Sequence, residues 1–334
     1  MRRYVAISMG ECAGTGPEVI VKALAAGAFP DVVVFGARCV FERLSSDLAL
    51  SLPFSAYVSS LPELGEAIGM GKSCIFYDIR ELEGLSFEYG HVSAQTGRAS
   101  FLSLRKAVEA ITNGYAYSLV TGALSSEALS LAGYSERSNS DLLRTFADTD
   151  RLISMLYSGP MDIFLLCDRC SVSSAAAAVT RESIINALIL IDSLHVSSFF
   201  DRSKPIAVAA LNPPDEDGGW TGNEEEDAII PAIETARKIG ISVSGPYSAE
   251  NLYTLAKHGS FSSILAYLRN EAYAAASSYG IDNTVVISWG LPFACVMLSQ
   301  ETELDIAGMK QASGLNMSKA LETAIMLSGP DQMA

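Results

Sequence analysis

Short runs of β-branched and aromatic residues alternate with longer stretches in which apolar side chains recur every three or four positions, almost from end to end of the chain. The runs Tyr4–Ser8, Val32–Phe35, Ser73–Tyr77, Ser118–Thr121, Leu152–Tyr157, Ile163–Leu166, Ile206–Ala210, Ser263–Tyr267 and Thr284–Ser288 are too short for helices and too apolar for exposed loops, which predicts buried strands. Between them Gly97–Asn113, Glu182–Leu194, Glu224–Ile239, Ala249–His258 and Met317–Met326 carry the helical period. Thr180 stands as an N-cap before one of these, and the run Glu224–Asp227 sets four carboxylates in a first turn, where the helix dipole favours them. Alternation of this kind predicts an α/β fold with a largely parallel sheet covered on both faces. No repeat, low-complexity segment or Pro/Ser-rich linker interrupts it, so two lobes sharing interleaved strands fit better than two beads on a string.

Three loops break the pattern. Gly10–Glu18 (GECAGTGPE) follows the first strand and opens a helix, with glycines that permit positive φ and a proline suited to a first helical turn. Its spacing, G-x-x-x-G-x-G, is not the dinucleotide fingerprint, and no Gly-Lys-Ser/Thr follows. Asn212–Asn223 (NPPDEDGGWTGN) is irregular between apolar flanks, and Gly290–Gly308 reads as a turn-rich loop between a strand and a helix. Loops at strand ends of an α/β sheet are where ligands usually sit.

Composition narrows the partners. The 334 residues carry 38 acidic against 23 basic side chains, a formal charge of −15, which argues against nucleic acid and anionic membrane surfaces. No apolar run approaches the ~18 residues that span a bilayer, and MRRYVAISMG turns polar too soon for a signal peptide. The six cysteines predict reduced thiols in a cytoplasmic protein. Cys167-Asp-Arg-Cys170 is a C-x-x-C, open to three readings: a redox pair, half a thiolate metal site, or small buried hydrophobes. Asp215-Glu216-Asp217 reads either as a solvated acidic loop or as a feature favouring a cationic ligand.

GECAGTGPE, TGRASFLSLRKAVEAI, YSLVTGALS, ALNPPDEDGGWTGNEEEDAIIPAIE, GPYSAENLY and GLPF…DIAG follow one another in the order and spacing of one family. Over roughly Val5 to Leu327 the chain resembles the 4-hydroxythreonine-4-phosphate dehydrogenases (PdxA-like proteins). The resemblance implies an isocitrate/isopropylmalate-dehydrogenase-like fold, with two interleaved α/β/α lobes around a cleft, and a homodimer. It further implies NAD and a divalent metal in the oxidation, usually with decarboxylation, of a hydroxy-acid phosphate. Lobe one is expected over 1–125 plus 285–334, and lobe two, with the dimerisation and metal side, over 126–284. Cofactor-side positions fall at Gly10, Gly14, Gly16, Gly290, Pro292, Asp305 and Gly308. Substrate-cleft positions fall at Asn139, Ser140, Asn212, Gly218 and Gly219.

The family's functional groups do not carry over. Its three metal-binding histidines fall on Arg169, Pro214 and Leu268, none of which can donate to a divalent ion, so no metal is expected at that site. The chain's own histidines, His91, His195 and His258, lie elsewhere and read as ordinary, partly exposed side chains. The family's Gly-His-Thr-Glu becomes Ser138-Asn139-Ser140-Asp141, and a substrate lysine becomes Ser126. Its phosphate-binding lysine, asparagine and arginine fall on Ala276, Val286 and Cys295. Near the cofactor pyrophosphate, Ser299-Gln300-Glu301 replaces Asp-His-Gly, which counts against NAD.

Arg169 in a vacated ligand position, and Arg269 beside another, supply positive charge suited to a carboxylate. Arg169, Arg269, Asp141 and Cys295 are therefore the candidate catalytic residues. The expected function is a diverged oxidoreductase or decarboxylase acting on a small non-phosphorylated carboxylic acid without the family's metal, with NAD kept as its candidate cofactor. The alternative is a catalytically silent relative acting as a binding or partner subunit.

Overall fold

The computed structural model describes residues 3–328 apart from 28, 30, 160, 196 and 216–218, so the expected cleft residue Gly218 and the acids Glu216 and Asp217 lie outside the described residues. Two compact units emerge, one from residues 3–152 and 291–328, the other from residues 153–290.

The first unit begins with the strands β1 (Val5–Ser8), β2 (Val32–Gly36), β3 (Ala56–Val58), β4 (Cys74–Asp78) and β5 (Ser118–Thr121). Its helices in this segment are α1 (Gly16–Ala26), α2 (Arg38–Leu48), α3 (Leu61–Gly69), α4 (Ala94–Thr112), α5 (Ser126–Leu131) and α6 (Asn139–Ala147). Serine hydroxyls start four of them: Ser60, Ser93, Ser125 and Ser138 each accept a backbone N–H from the first turn.

The second unit holds the strands β6 (Ile153–Tyr157), β7 (Asp162–Leu165), β8 (Ile206–Ala209), β9 (Val243–Tyr247), β10 (Ser263–Ala266) and β11 (Val285–Trp289). Its helices are α7 (Val172–Ala178), α8 (Arg181–Leu194), α9 (Ile230–Lys238), α10 (Ala249–Lys257) and α11 (Arg269–Ser277). The chain then returns to the first unit for β12 (Ala294–Leu298) and α12 (Leu315–Leu327).

In the first unit the strands run β3-β4-β2-β1-β5-β12, every neighbour parallel. In the second the order is β11-β6-β7-β10-β8-β9, with β6 antiparallel to both its neighbours and the rest parallel. The mixed α/β class and the largely parallel sheets follow the alternation read from the sequence.

Three strands escape that reading. β3 has three residues at a sheet edge. β9 contains Gly245-Pro246, which reads as a turn and is tolerated because a proline on an edge strand costs no ladder bond. β12 lies inside the segment expected to be a loop between Gly290 and Gly308. Paired with β5 and buried, it shows no alternation to betray it. The predicted helix Glu224–Ile239 is broken in kind: Glu225–Ile229 forms a π turn ahead of α9. Pro231, lacking an N–H, cannot continue the ordinary ladder, and Ile230 bonds back five residues to the Glu225 carbonyl.

The expected lobe boundaries at 125/126 and 284/285 differ from the observed ones. Residues 126–152 stay with the first unit because α4 and α5 lie backbone to backbone: a Cβ on Gly97 would meet the Ala128 carbonyl oxygen at 2.0 Å. Phe101 of α4 also stacks on Tyr134, with ring centres 3.9 Å apart, and meets Phe146 of α6 edge-on. Residues 285–290 go with the second unit through the five-residue ladder of β11 on β6. Among the described residues no single helix is long and apolar enough to cross a membrane.

Candidate functional site

Because β7, β10 and β8 are adjacent and parallel, their C-terminal ends open on one edge of the second unit's sheet, the edge where α/β folds bind ligands. The ladder runs on past β7, with Leu166 donating its N–H to the Ala266 carbonyl at 3.0 Å. The chain then turns through Cys167–Cys170, whose sulfurs are joined as a disulfide across a Cα separation of 6.2 Å. The expectation of six reduced thiols therefore holds only for Cys12, Cys39, Cys74 and Cys295. Arg169, inside this four-residue ring, adopts a left-handed φ of +55°, uncommon for a side chain of its size.

The two candidate arginines have different fates. Arg269, at the start of α11, forms an ion pair with Asp168, their side chains 22 % and 14 % exposed, and its guanidinium lies 4.0 Å over the Tyr273 ring. It is thus committed within the fold. Arg169 is exposed, and among the described residues no carboxylate pairs with it. Asp168 carried no expectation from the sequence; its only signal was its place between the cysteines of the C-x-x-C.

Behind β8, Asn212 is a clamp. Its amide nitrogen donates to Glu224 Oε2 and Glu225 Oε2, both at 2.8 Å. The other oxygen of Glu225 accepts the backbone N–H groups of Leu211 and Asn212 at 2.7 and 2.8 Å. Glu225 is fully buried, so this carboxylate ties the loop to the start of the following helix. A Cβ at Gly222 would strike the Asn212 amide at 2.3 Å, which explains that glycine. Gly219 is exposed and accepts the Asp215 N–H at its carbonyl. Burial pushes the pKa of the Tyr267 hydroxyl well up, and the charge of Glu225 adds to the shift; the hydroxyl has no hydrogen-bond partner among the described residues. Tyr267 went unmarked as a site residue in the sequence, whereas Glu225 stood out there only as part of the acidic first turn.

The donor set at these strand ends does not fit a divalent metal. Arg169, the Pro213-Pro214 pair and Leu268-Arg269 offer neither imidazole nor thiolate. Among the described residues no group of three His, Cys, Asp or Glu could hold an ion. His91 and His258 are exposed, but His195 is not the partly exposed side chain expected. It is 4 % exposed at the end of α8, with Nε2 3.1 Å from Ser263 Oγ and its ring centre 4.6 Å from that of Phe200. Desolvation there lowers its pKa to about 4.

In the first unit, the glycine loop is filled from within. Gly10, at φ +72°, lies against the backbone of Gly122 and Ala123, and a Cβ would come within 2.6 Å of the Ala123 oxygen. A Cβ on Gly14 would meet the Thr302 oxygen at 2.4 Å, and one on Gly16 the Met9 oxygen at 2.7 Å. The N–H groups of Glu11, Ala13, Gly14 and Thr15 go to Ala123 O, Glu11 Oε1, Glu11 O and Thr302 O. These amides have nothing left for a pyrophosphate. Thr15 Oγ1 also bonds Glu303, and Glu301, Glu303 and Asp305 stand in the stretch that covers the loop, with no basic residue between 299 and 305. The residues present do not fit a dinucleotide phosphate at this loop. Gly308, at φ +74°, makes room for the Tyr89 ring, while Pro292 and Asp305 are exposed at turns and Gly290 takes φ +95°.

Asn139 donates to the Gly122 carbonyl at 3.2 Å, and Ser140 is buried in the first turn of α6. Asp141 accepts the Ser138 hydroxyl and the Arg137 N–H and faces Arg144 at 3.6 Å, so it is a capping group of α6. Cys295 is wholly buried within β12, opposite Leu119, and desolvation pushes its pKa far up, which keeps it a neutral thiol. Cys295 thus lacks the exposure a nucleophile needs, and Asp141, although partly exposed, is engaged in capping α6.

A family model described as "Pyridoxal phosphate biosynthetic protein PdxA" matches residues 29–324. A protein of Oceanobacillus iheyensis, named as a candidate D-threonate 4-phosphate dehydrogenase, is 30 % identical over 330 residues, 97 % of each chain. The crystal structure of a 4-hydroxythreonine-4-phosphate dehydrogenase from Klebsiella pneumoniae is 24 % identical, with a TM-score of 0.82 over 98 % of this chain and 100 % of that one. A β-decarboxylating dehydrogenase from Thermococcus kodakarensis, 14 % identical, shares the fold with a TM-score of 0.51 over 98 % of this chain and 82 % of its own.

Proposed function

The chain belongs to the PdxA family, a family of dehydrogenases, and from that premise we propose that it is an oxidoreductase acting on a small, non-phosphorylated carboxylic acid held by Arg169, without a divalent metal. The observation that carries this reading is the contrast between the two arginines. Arg269 is spent on Asp168, whereas Arg169 is exposed and without an ion pair among the described residues, on a disulfide-closed turn at the ligand-binding edge of the sheet. A guanidinium there binds a carboxylate bidentately and supplies fixed positive charge without a proton equilibrium.

Loss of phosphate recognition has its own support. Ala276, Val286 and Cys295, which stand where the resemblance puts phosphate-binding side chains, are all buried and carry no charge. The acid named for the Oceanobacillus relative, D-threonate 4-phosphate, therefore serves as a guide to the carbon skeleton rather than to the charge of the ligand. A nicotinamide cofactor, where bound, supplies the hydride acceptor of a dehydrogenase.

The test is calorimetric titration with D-threonate and with D-threonate 4-phosphate, each with and without a chelator. The expected result is binding of the unphosphorylated acid, indifferent to chelator and weakened on the order of 10- to 100-fold in Arg169→Ala, the loss of one charged bidentate contact. Binding or turnover of the phosphorylated acid alone, restored by a divalent metal, overturns the reading. The homodimer implied by the resemblance is proposed with it, and light scattering of the purified protein checks it.

A further inference from the structure

Cys167 and Cys170 close a four-residue turn just past β7, and both are partly exposed. Their Cα atoms, 6.2 Å apart, lie within the ordinary reach of a disulfide, so the ring closes without moving the backbone. The other thiols differ. Cys12, Cys74 and Cys295 are buried, and desolvation raises the pKa of each, Cys74 to about 12. Cys39 is exposed, but desolvation of its sulfur and the charge of Asp78 raise its pKa too, and it has no second cysteine in its turn. Disulfide exchange needs an accessible sulfur and a stabilised thiolate. Arg169, next to Cys170 in the chain, is exposed and has no ion pair among the described residues, so its charge favours a thiolate there. The opposing charge of Asp168 is spent on Arg269.

The ring also holds a conformation. One side is anchored by Asp168 on Arg269, and the other runs into Ser171, whose hydroxyl accepts the Ser174 N–H to start α7. Between these anchors Arg169 sits at φ +55°, a region that a residue with a large side chain avoids. Closure of the ring confines it there. With the sulfurs parted, Arg169 is free to return to negative φ, and its guanidinium moves with it.

We propose that Cys167 and Cys170 form a reversible dithiol–disulfide switch, which presents Arg169 when oxidised and releases it when reduced by a dithiol. A thiolate of the reductant attacks one ring sulfur, and the other leaves as a thiolate and takes up a proton. The reductant's second thiol then displaces the first ring sulfur, which is protonated in turn. Two electrons and two protons pass to the protein, and the reductant ends as a disulfide. Glutathione disulfide reverses the change and yields two glutathione thiols. That the switch controls acid binding rests on the assignment of the acid to Arg169; the thiol chemistry does not.

The folded full chain is treated with dithiothreitol or with glutathione disulfide, alkylated with iodoacetamide and mapped by mass spectrometry. Oxidised protein should carry its label on Cys39 alone, reduced protein on Cys39, Cys167 and Cys170, and reoxidation should restore the first pattern. Trypsin should cut the Arg169–Cys170 bond about 10-fold faster or more in the reduced protein, because a protease needs an opened turn. Cys170→Ser should be cut at the fast rate under both conditions. D-threonate should bind the reduced protein and Cys170→Ser about 10-fold more weakly than the oxidised protein. The switch is overturned if the labelling of Cys167 and Cys170 is the same under both conditions, or if both forms are cut at Arg169 equally fast. Binding of D-threonate that ignores the redox state overturns its control of the ligand. Cycling and faster cleavage without D-threonate binding to either form would instead overturn the acid assigned to Arg169 and leave the switch standing.

Discussion

Replacing Glu225 by alanine tests whether one buried carboxylate holds the loop after β8 in place. Three hydrogen bonds are lost at once: from Leu211 N at 2.7 Å, Asn212 N at 2.8 Å and Asn212 Nδ2 at 2.8 Å. Each is made to a charged acceptor, for which the net contribution is about 1.5–3 kcal/mol, and two backbone donors are left without partners. Against this stands the relief of no longer burying a carboxylate, since Glu225 has no exposed surface. The balance is a destabilisation of about 4 kcal/mol, less than the sum of the three bonds because they act as one unit. Glu225→Gln keeps an oxygen for the two backbone amides but turns an NH2 toward the Asn212 NH2, so it should cost about 1–2 kcal/mol.

Both tryptophans, Trp220 and Trp289, belong to the second unit, so their fluorescence in a guanidinium chloride titration follows that unit selectively. At a slope of about 4 kcal/mol/M, the alanine variant should shift its midpoint down by about 1 M. An alanine variant within 1 kcal/mol of the parent (about one ordinary hydrogen bond), or a glutamine variant as damaged as alanine, would refute the reasoning: the clamp would then be a consequence of the loop's position rather than its cause.

Gly14→Ala should lower stability by about 1–3 kcal/mol, because its Cβ would lie 2.4 Å from the Thr302 carbonyl oxygen and neither backbone can retreat cheaply; an unchanged melting temperature would show the two loops to be loosely held. His195 makes stability depend on pH. Its folded pKa of about 4 lies below the 6.5 of an ordinary histidine, so the unfolded chain binds the extra proton between those values. The contribution of the neutral ring is complete above about pH 6.5 and is lost as pH falls toward 4, at most about 3 kcal/mol. Asp162, whose carboxyl burial pushes up to about 7, titrates in the same window with the opposite sign. Denaturation midpoints between pH 4 and 8 are therefore compared in an Asp162→Asn background with and without His195→Gln, and equal slopes in the two would contradict the assignment.

What the sequence determined by itself is what local patterning can encode. Apolar runs such as Val32–Phe35 and Ile206–Ala210 are strands, Thr180 caps α8, and glycines at 10, 14 and 16 mark a turn that no other residue could make. The absence of a histidine at 169, 214 and 268 is equally plain there, because Arg, Pro and Leu cannot change their chemistry in any fold. Tertiary structure alone decided which charges remain available. Arg169 and Arg269 looked equivalent until the parallel pairing of β7 with β10 brought Asp168, 101 residues away, onto Arg269. The same holds for Asn212, whose partners come from the next helix, and for Cys295, whose thiol is silenced by burial on β12. Charge and shape are properties of a residue, but exposure and pairing belong to its neighbours, and those are set by strand order, which no local pattern contains.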